Sequence, residues 1–161
     1  MSLDPAGYRK LIGHFATGVT VITTANDGLL HGMTANAITS VSLDPLLLLV
    51  CIDREAHAYE QVLQSGRFGV NILAEDQEEV SRLFATKSEP ERGQLRGAAF
   101  RLGEHGTPLL EGSLAHLECA VTDRFEAGDH TIFIGAVLDG GELRDAAPLL
   151  FYLAAYRRLQ P

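Results

Sequence analysis

A run of small and hydroxylated residues at positions 32–42 is the part of this chain best suited to hold a flat ring. Its glycine and alanines let a planar ligand approach the main chain closely. Backbone N–H groups and the hydroxyls of Thr34, Ser40 and Ser42 can donate hydrogen bonds to ring carbonyls or to a phosphate. The same composition is typical of two strands joined by a turn, because Ser and Thr are common turn residues. Composition alone leaves both interpretations open.

His130 is the second candidate for chemistry, because it follows Gly128 and Asp129 at the start of a strand-like run. The Gly-Asp pair predicts a turn at the rim of the fold, where Asp129 orients the imidazole or caps the turn. A single histidine on a strand is more often structural, so the residue type does not decide its role. The His, Cys and carboxylate residues lack the spacing of a zinc site, and there is no Gly-x-Ser-x-Gly elbow. We therefore predict neither a metal site nor a serine hydrolase.

The bulk composition is that of an ordinary globular domain. A chain of 161 residues suffices for one domain with its own core, so we predict a single domain over residues 1–161. The formal net charge of −8, with no Lys/Arg cluster, argues against nucleic-acid binding. Two cysteines and no signal-peptide pattern predict a reducing, cytoplasmic location. The longest apolar run, residues 46–52, is too short to cross a membrane.

The hydrophobic periodicity predicts many short strands and a few helices. We predict helices over 4–15, over 55–65 with a stop at Gly66, and after a capping box of Asp76 and Glu79. Strands are predicted at 19–24, 29–35, 46–52, 67–73, 113–125, 130–138 and 149–153, with turns at 26–28 and 140–141 and a polar loop at 86–98. This order favours an antiparallel barrel over a Rossmann sheet, in which helices alternate with strands.

Four segments resemble the conserved motifs of the flavin reductase family, in that family's order and spacing. They are residues 15–24 (FATGVTVITT) followed by 32–45, residues 68–73 (FGVNIL), residues 128–135 (GDHTIFIG), and residues 148–152 (PLLFY) with Tyr156. The resemblance extends over about residues 8–159. It implies a mainly β fold, an antiparallel Greek-key split barrel that binds FMN, with peripheral helices. It also implies a homodimer with flavin bound near the subunit interface.

The resemblance further implies which residues form the site. The flavin ring and ribityl chain would contact Met33, Thr34, Ala35, Asn36, Ser40, Val41 and Ser42. Beside the ring or the phosphate would lie Cys51, Ile52, Asp53, Arg54 and His57, the last at a helix N-terminus, where N–H groups favour a phosphate. Arg82, Phe84 and Lys87 would supply a wall and phosphate charge, although both cations are equally well interpreted as ordinary solvated side chains. The nicotinamide of NADH or NADPH would lie by His130 and Asp129.

The implied activity is hydride transfer from NADH or NADPH to FMN or FAD, with reduced flavin supplied to a partner monooxygenase or another acceptor. The sequence leaves two alternatives: an FMN-binding electron-transfer or storage protein on the same barrel, and a barrel that binds no flavin. The Gly-Asp-His segment favours the reductase. The sequence has no basic cluster suited to binding the 2′-phosphate of NADPH. This absence slightly favours NADH.

Overall fold

The structure is a computed structural model that describes residues 2–160, most of which form antiparallel strands. The helices are α1 Pro5–Ile12, α2 His57–Ser65 and α3 Glu78–Ala85. The strands are β1 Thr17–Gly18, β2 Thr20–Asn26, β3 Leu29–Ala35, β4 Ile38–Leu43, β5 Leu46–Asp53, β6 Arg67–Ile72, β7 Glu91–Arg92, β8 Phe100–Leu102, β9 Pro108–Leu110, β10 Ala115–Ala127, β11 His130–Glu142, β12 Leu150–Tyr152 and β13 Ala155–Arg157. Within residues 2–160, no helix has the length and apolar character needed to span a bilayer.

One eight-stranded sheet forms the body of the fold, in the order β4-β5-β11-β10-β6-β2-β3-β7. All of its neighbouring strands pair antiparallel, and β2–β3, β4–β5 and β10–β11 are hairpins. The β10–β11 hairpin lies between β5 and β6, so strands that are successive along the chain are separated in the sheet. Two small sheets, β1-β12-β13 and β8-β9, complete the predicted mainly β architecture.

The backbone confirms one predicted turn and one predicted helix end. Asp27 and Gly28, which join β2 to β3, both have positive φ angles, 49° and 79°. Positive φ at both central positions is what a tight hairpin requires. Gly66 ends α2 at φ 65°, in the left-handed conformation that a helix C-terminus favours.

The core consists of two apolar clusters on either side of β2. The first includes Val50, Phe68 and Phe133 and lies under α2. The second includes Phe84 and Leu95 and lies under α3. Because the sheet is covered on these faces, the ends of α2 and α3 are held next to β3.

The predicted capping box at the start of α3 is wrong. Asp76 forms an ion pair with Arg144, with 2.9 Å between Nη2 and Oδ2. Gln77 occupies the N-cap position, and its Oε1 accepts a hydrogen bond from the N–H of Ala74 instead of capping the helix. Asp76 thus pairs with a residue that is distant in sequence, whereas its local spacing had predicted that it would cap α3.

The predicted turn at Gly140 and Gly141 is also wrong, because both residues lie inside β11 opposite β10. A Cβ atom at Gly140 would lie 2.6 Å from Cδ2 of Leu117 on the opposing strand. Glycine therefore serves close strand packing here. Helix α1 ends at Ile12 rather than at residue 15, and residues 86–98 include the short strand β7, which pairs with β3.

Glu118 is a fully buried carboxylate on β10 that organises the turn between β8 and β9. It accepts hydrogen bonds from the backbone N–H groups of His105 and Thr107 and from the Thr107 hydroxyl, the last at 2.6 Å. Burial by itself raises the pKa of Glu118, but these hydrogen bonds lower it more, and the net pKa lies below the ordinary value. The folded state therefore favours the ionised carboxylate.

Replacing Glu118 with Gln should lower the free energy of unfolding at pH 7 by about 1–3 kcal/mol, because an amide cannot accept all of these hydrogen bonds. Folding lowers the pKa of Glu118. Its contribution to the free energy of unfolding is therefore complete above the unfolded pKa of about 4.3 and is lost as pH falls through the folded pKa. Urea unfolding of both proteins from pH 7 to pH 3 measures this. The difference between their free energies of unfolding should shrink towards pH 3, and a difference that is constant with pH would contradict the role assigned to Glu118.

Candidate functional site

A cleft with a volume of about 250 Å³ opens between β3, the start of α2 and the end of α3. We call it the α3 cleft. Six of the residues predicted from the sequence line it together: Met33, Thr34, Asp53, His57, Phe84 and Lys87. The ends of three separate elements thus converge on one space.

Two further hollows continue from the α3 cleft along β3. Thr34 lines both the α3 cleft and a hollow of about 170 Å³, whose walls include Ala35 and Tyr156. Asn36 lines both that hollow and a cavity of about 540 Å³, which Cys51 also lines. The three spaces lie one after another along β3 and the β3–β4 connection, and together we call them the β3 trough.

Hydrogen bonds from side chains fix the wall of the trough. The Thr34 hydroxyl donates to the carbonyl oxygen of Ser81 on α3, at 2.6 Å. The Thr20 hydroxyl donates to the carbonyl oxygen of Ala35, also at 2.6 Å. Asn36 Nδ2 donates to the Thr17 hydroxyl at 3.2 Å. The Thr34 hydroxyl, which the sequence analysis assigned to a ligand, therefore links β3 to α3.

Gly32 allows α3 to lie directly on β3. A Cβ atom at this position would be 2.7 Å from Cδ1 and Cε1 of Phe84. The Phe84 ring therefore occupies space that any other residue at position 32 would fill. This contact brings the end of α3, and with it Lys87, to the edge of the α3 cleft.

Sequence reasoning missed three polar residues of the α3 cleft, His31, Thr86 and Ser88. His31 is 7% exposed, and its ring centroid is 6.1 Å from that of His57. Burial, then the charges of His57 and Arg96, lower the pKa of His31 to about 4, so its ring is neutral at pH 7. The alternation of β3 was the available signal, since His31 precedes Met33 by two positions.

Ser88 offers the cleft a hydroxyl without a partner. Its Oγ is buried and has no hydrogen bond within the described part of the chain. A buried hydroxyl without a partner is unfavourable, so the position is suited to a ligand oxygen. Opposite it, Nε2 of His57 lies 3.2 Å from a carboxylate oxygen of Glu89. Ser88 lies within the predicted polar loop, and nothing in its local sequence marked it out.

The other predicted contacts of the flavin lie outside the trough of the single chain. Ser40, Val41 and Ser42 are on the outer strand β4 and line none of the three spaces. The Ile52 side chain is fully buried in the first core cluster. Arg54 lies 3.8 Å from Glu126, beyond the end of β5.

Arg82 also lies apart from the α3 cleft. Its guanidinium forms an ion pair with Glu78 at 2.7 Å and lies over the Tyr156 ring, 4.8 Å from the centroid. Tyr156 in turn shares a hydrogen bond with the Ser81 hydroxyl. The structure thus separates the two predicted phosphate cations: Lys87 lines the cleft, whereas Arg82 packs behind the middle of the trough.

The sheet brings His130 to the edge of this site. In the β5–β11 pairing His130 is opposite Asp53, which lines the α3 cleft. His130 Nδ1 is 2.7 Å from Asp129 Oδ1, and the imidazole is 42% exposed. The hydrogen bond with His130 lowers the pKa of Asp129. An ionised Asp129 that accepts from Nδ1 leaves Nε2 of His130 for another partner.

Comparison with known proteins identifies the group to which this architecture belongs. Residues 12–160 match the family described as flavin reductase like domain. The chain belongs to the flavin reductase family. The family predicted from the four motifs is therefore confirmed.

Similar proteins in this family cover nearly the whole chain. The NADH-dependent flavin reductase of a Rhodococcus species is 44% identical over 98% of this chain and 88% of its own length. The reductase subunit HsaB of a flavin-dependent monooxygenase from Mycobacterium tuberculosis is 38% identical over 99% and 84%. The NADH:FAD oxidoreductase SgcE6 of Streptomyces globisporus, solved with NAD and FAD fragments, superposes with a TM-score of 0.90 at 37% identity, covering 100% of this chain and 98% of that one. These matches confirm the predicted split-barrel fold and oxidoreductase class.

A large side chain at Ala35 should block flavin binding, because Ala35 lines the middle hollow of the β3 trough. For Ala35→Arg we expect the dissociation constant for FMN to rise at least about tenfold, measured by quenching of flavin fluorescence. Ala99→Arg is the matched control, since Ala99 is exposed and outside the trough. Normal FMN affinity in a folded Ala35→Arg protein would exclude the trough as the site.

Proposed function

We propose that this chain is a flavin reductase that oxidises NADH and reduces FMN or FAD bound in the β3 trough. One observation carries the proposal. An apolar hollow, a polar cleft and the turn before His130 adjoin one another along β3 and the end of β5. Relatives named as NADH-dependent flavin reductase and NADH:FAD oxidoreductase support the choice of both reactants.

The trough fits the two chemically different parts of a flavin. Its middle hollow has apolar and aromatic walls, which include Val19, Ala35 and Phe151 and suit a flat ring. The α3 cleft next to it presents the Lys87 side chain and the unpaired Ser88 hydroxyl, which suit an anionic phosphate. The ring and the phosphate group can thus be bound by adjoining parts of one trough.

When bound, a flavin supplies the redox chemistry, because its ring accepts a hydride and passes electrons on. The chain contributes binding and orientation. Ala35 and Asn36 are held in place by hydrogen bonds to Thr20 and Thr17, so this wall of the trough is rigid. A fixed wall favours transfer because it restricts the two reactants to productive orientations.

His130 is the residue we assign to the nicotinamide. Asp129 holds its Nδ1, so Nε2 is oriented and available to donate or accept a hydrogen bond at the cleft edge. Hydride transfer requires no acid or base at the reacting carbon, so His130 acts by positioning NADH.

The activity can be tested by steady-state oxidation of NADH and NADPH with FMN, FAD and riboflavin. We expect flavin-dependent oxidation of NADH, with slower oxidation of NADPH. Flavin that binds but is not reduced by either nicotinamide would instead support the electron-transfer or storage alternative. An absence of any flavin binding would refute the proposal.

His130→Ala should raise KM for NADH about three- to tenfold, the equivalent of one lost hydrogen bond, and change the dissociation constant for FMN less than about twofold. His105→Ala is the control, because His105 lies on the β8–β9 turn and its backbone N–H, which binds Glu118, is retained. An unchanged KM for NADH would rule out the positioning role of His130.

We also propose that the protein acts as a homodimer across the outer face of β5 and β11. On this face Leu49 lies opposite Ile134 and Cys51 opposite Ile132, and all four side chains are only partly buried. Phe125 on β10, paired with Ile132, adds a ring that is 56% exposed. Contiguous exposed apolar surface of this kind marks an interaction site.

This face adjoins the flavin trough. Cys51 belongs both to the apolar face and to the large cavity of the trough. Helix α1 borders the same cavity and buries none of its side chains, so its apolar residues Tyr8, Leu11 and Ile12 are exposed beside it. A second subunit on this face would cover the open side of the trough.

Ile134→Glu should convert the dimer into a monomer, because it places a charge at the centre of the apolar face. Sedimentation velocity of wild type and variant measures this. Leu102→Glu, at a similarly apolar but separate exposed position on β8, should leave the dimer intact. A monomeric wild type at micromolar concentration would contradict the assignment of this face.

We propose that this protein is a single domain that supplies reduced flavin to a partner monooxygenase in the cytoplasm. The relative HsaB is named as the reductase subunit of a flavin-dependent monooxygenase. Cys51 and Cys119 are both unpaired, which agrees with a reducing compartment.

A further inference from the structure

Arg96 reaches from the segment after β7 to the end of α3. Its Nη1 donates to the carbonyl oxygen of Leu83, to the Thr86 hydroxyl at 2.8 Å and to the Thr86 carbonyl oxygen at 3.3 Å. The last carbonyl groups of a helix lack partners within the helix and carry partial negative charge. A guanidinium is therefore well placed here, and it links two segments ten residues apart.

Arg96 is itself held firmly. Its backbone N–H donates to a carboxylate oxygen of Glu91 at 3.2 Å, and its backbone has a positive φ of 52°. The preceding Leu95 is 1% exposed and packs in the second core cluster with Phe84. Glu91 belongs to β7, which pairs with β3. The backbone of residue 96 is therefore linked through β7 to the strand that forms the trough.

The residues that Arg96 secures form one wall of the α3 cleft. Thr86, Lys87 and Ser88 all line that cleft, across from His57. Lys87 supplies an ammonium group and Ser88 the buried hydroxyl that has no partner. A short segment after a helix end is free to change conformation unless a side chain restrains it. The contacts of Arg96 with Thr86 provide such a restraint directly before these two residues.

We propose that Arg96 is a positioning residue that makes the site selective for phosphorylated flavins, FMN and FAD, over riboflavin. It does so by holding residues 86–88 so that the Lys87 and Ser88 side chains converge on the flavin phosphate. Arg96 does not line the cleft itself, so it acts through these residues. This inference rests on the proposed function, because it assigns the phosphate of the flavin to the α3 cleft.

The test compares FMN with riboflavin, which differs only in lacking the phosphate. Dissociation constants of both are measured on flavin-free protein by fluorescence quenching, for wild type, Arg96→Leu and Arg96→Lys. For Arg96→Leu we expect FMN binding to weaken about tenfold and riboflavin binding less than about twofold, since the loss is confined to contacts with the phosphate. Arg96→Lys retains a cation but not the planar guanidinium, so its FMN affinity should lie between those of Arg96→Leu and wild type.

Arg92→Leu is the matched control. Arg92 lies on the same segment, but its guanidinium donates to the Asp27 carbonyl oxygen at the β2–β3 turn. We expect this variant to keep the wild-type ratio of FMN to riboflavin affinity. Ser88→Ala should reproduce part of the selective loss, because it removes the hydroxyl assigned to the phosphate.

The inference is overturned if Arg96→Leu weakens both flavins equally or neither of them. If Arg96→Leu does not fold, Thr86→Val decides, because it removes the hydroxyl acceptor of Arg96 and keeps the side-chain shape. Thr86→Val must then lower FMN affinity more than riboflavin affinity. A wild type that reduces flavins but binds FMN and riboflavin equally would refute this inference alone, whereas a wild type that binds neither refutes the proposed function as well.

Discussion

The close approach of α3 to β3 is the contact on which the site depends. Phe84 packs where a Cβ atom of residue 32 would be, and the Thr34 hydroxyl binds the Ser81 carbonyl oxygen from the same strand. These two contacts set the width of the trough and place the end of α3 opposite α2. If the helix lay further from the strand, Lys87 and His57 would no longer share a cleft.

The site also shows how an acidic chain can bind an anion. The formal net charge is −8, but charges on distant exposed surfaces are screened over about a Debye length of 8–10 Å. The Lys87 ammonium and the Asp53 carboxylate line the α3 cleft, and the Arg96 guanidinium lies behind its wall. Burial keeps His31 neutral, so it does not add to them at pH 7. Binding at this cleft is therefore governed by a few nearby donors rather than by the total charge.

Much of the fold and part of the site could be predicted, because the relevant signals are local. The β-branched residues of segment 19–24 and the Asp27-Gly28 turn specify the β2–β3 hairpin through interactions between neighbours. Errors arose where a distant residue intervened. Asp76 binds Arg144 instead of capping α3, and Gly140 packs against Leu117 instead of forming a turn. In both cases the local preference was real, but a tertiary contact was stronger.

The sequence by itself determined that the fold is mainly β and where most of its strands lie. The order of its motifs identified the flavin reductase family. It also indicated the residues on β3, since neighbours on one strand necessarily lie together. Only the tertiary structure decided which of the other residues join them. Asp53 meets His130 because the β10–β11 hairpin inserts beside β5, and Arg96 meets Thr86 because β7 returns along β3. Contacts of this kind depend on the order of strands in the sheet, which no local preference of the chain encodes.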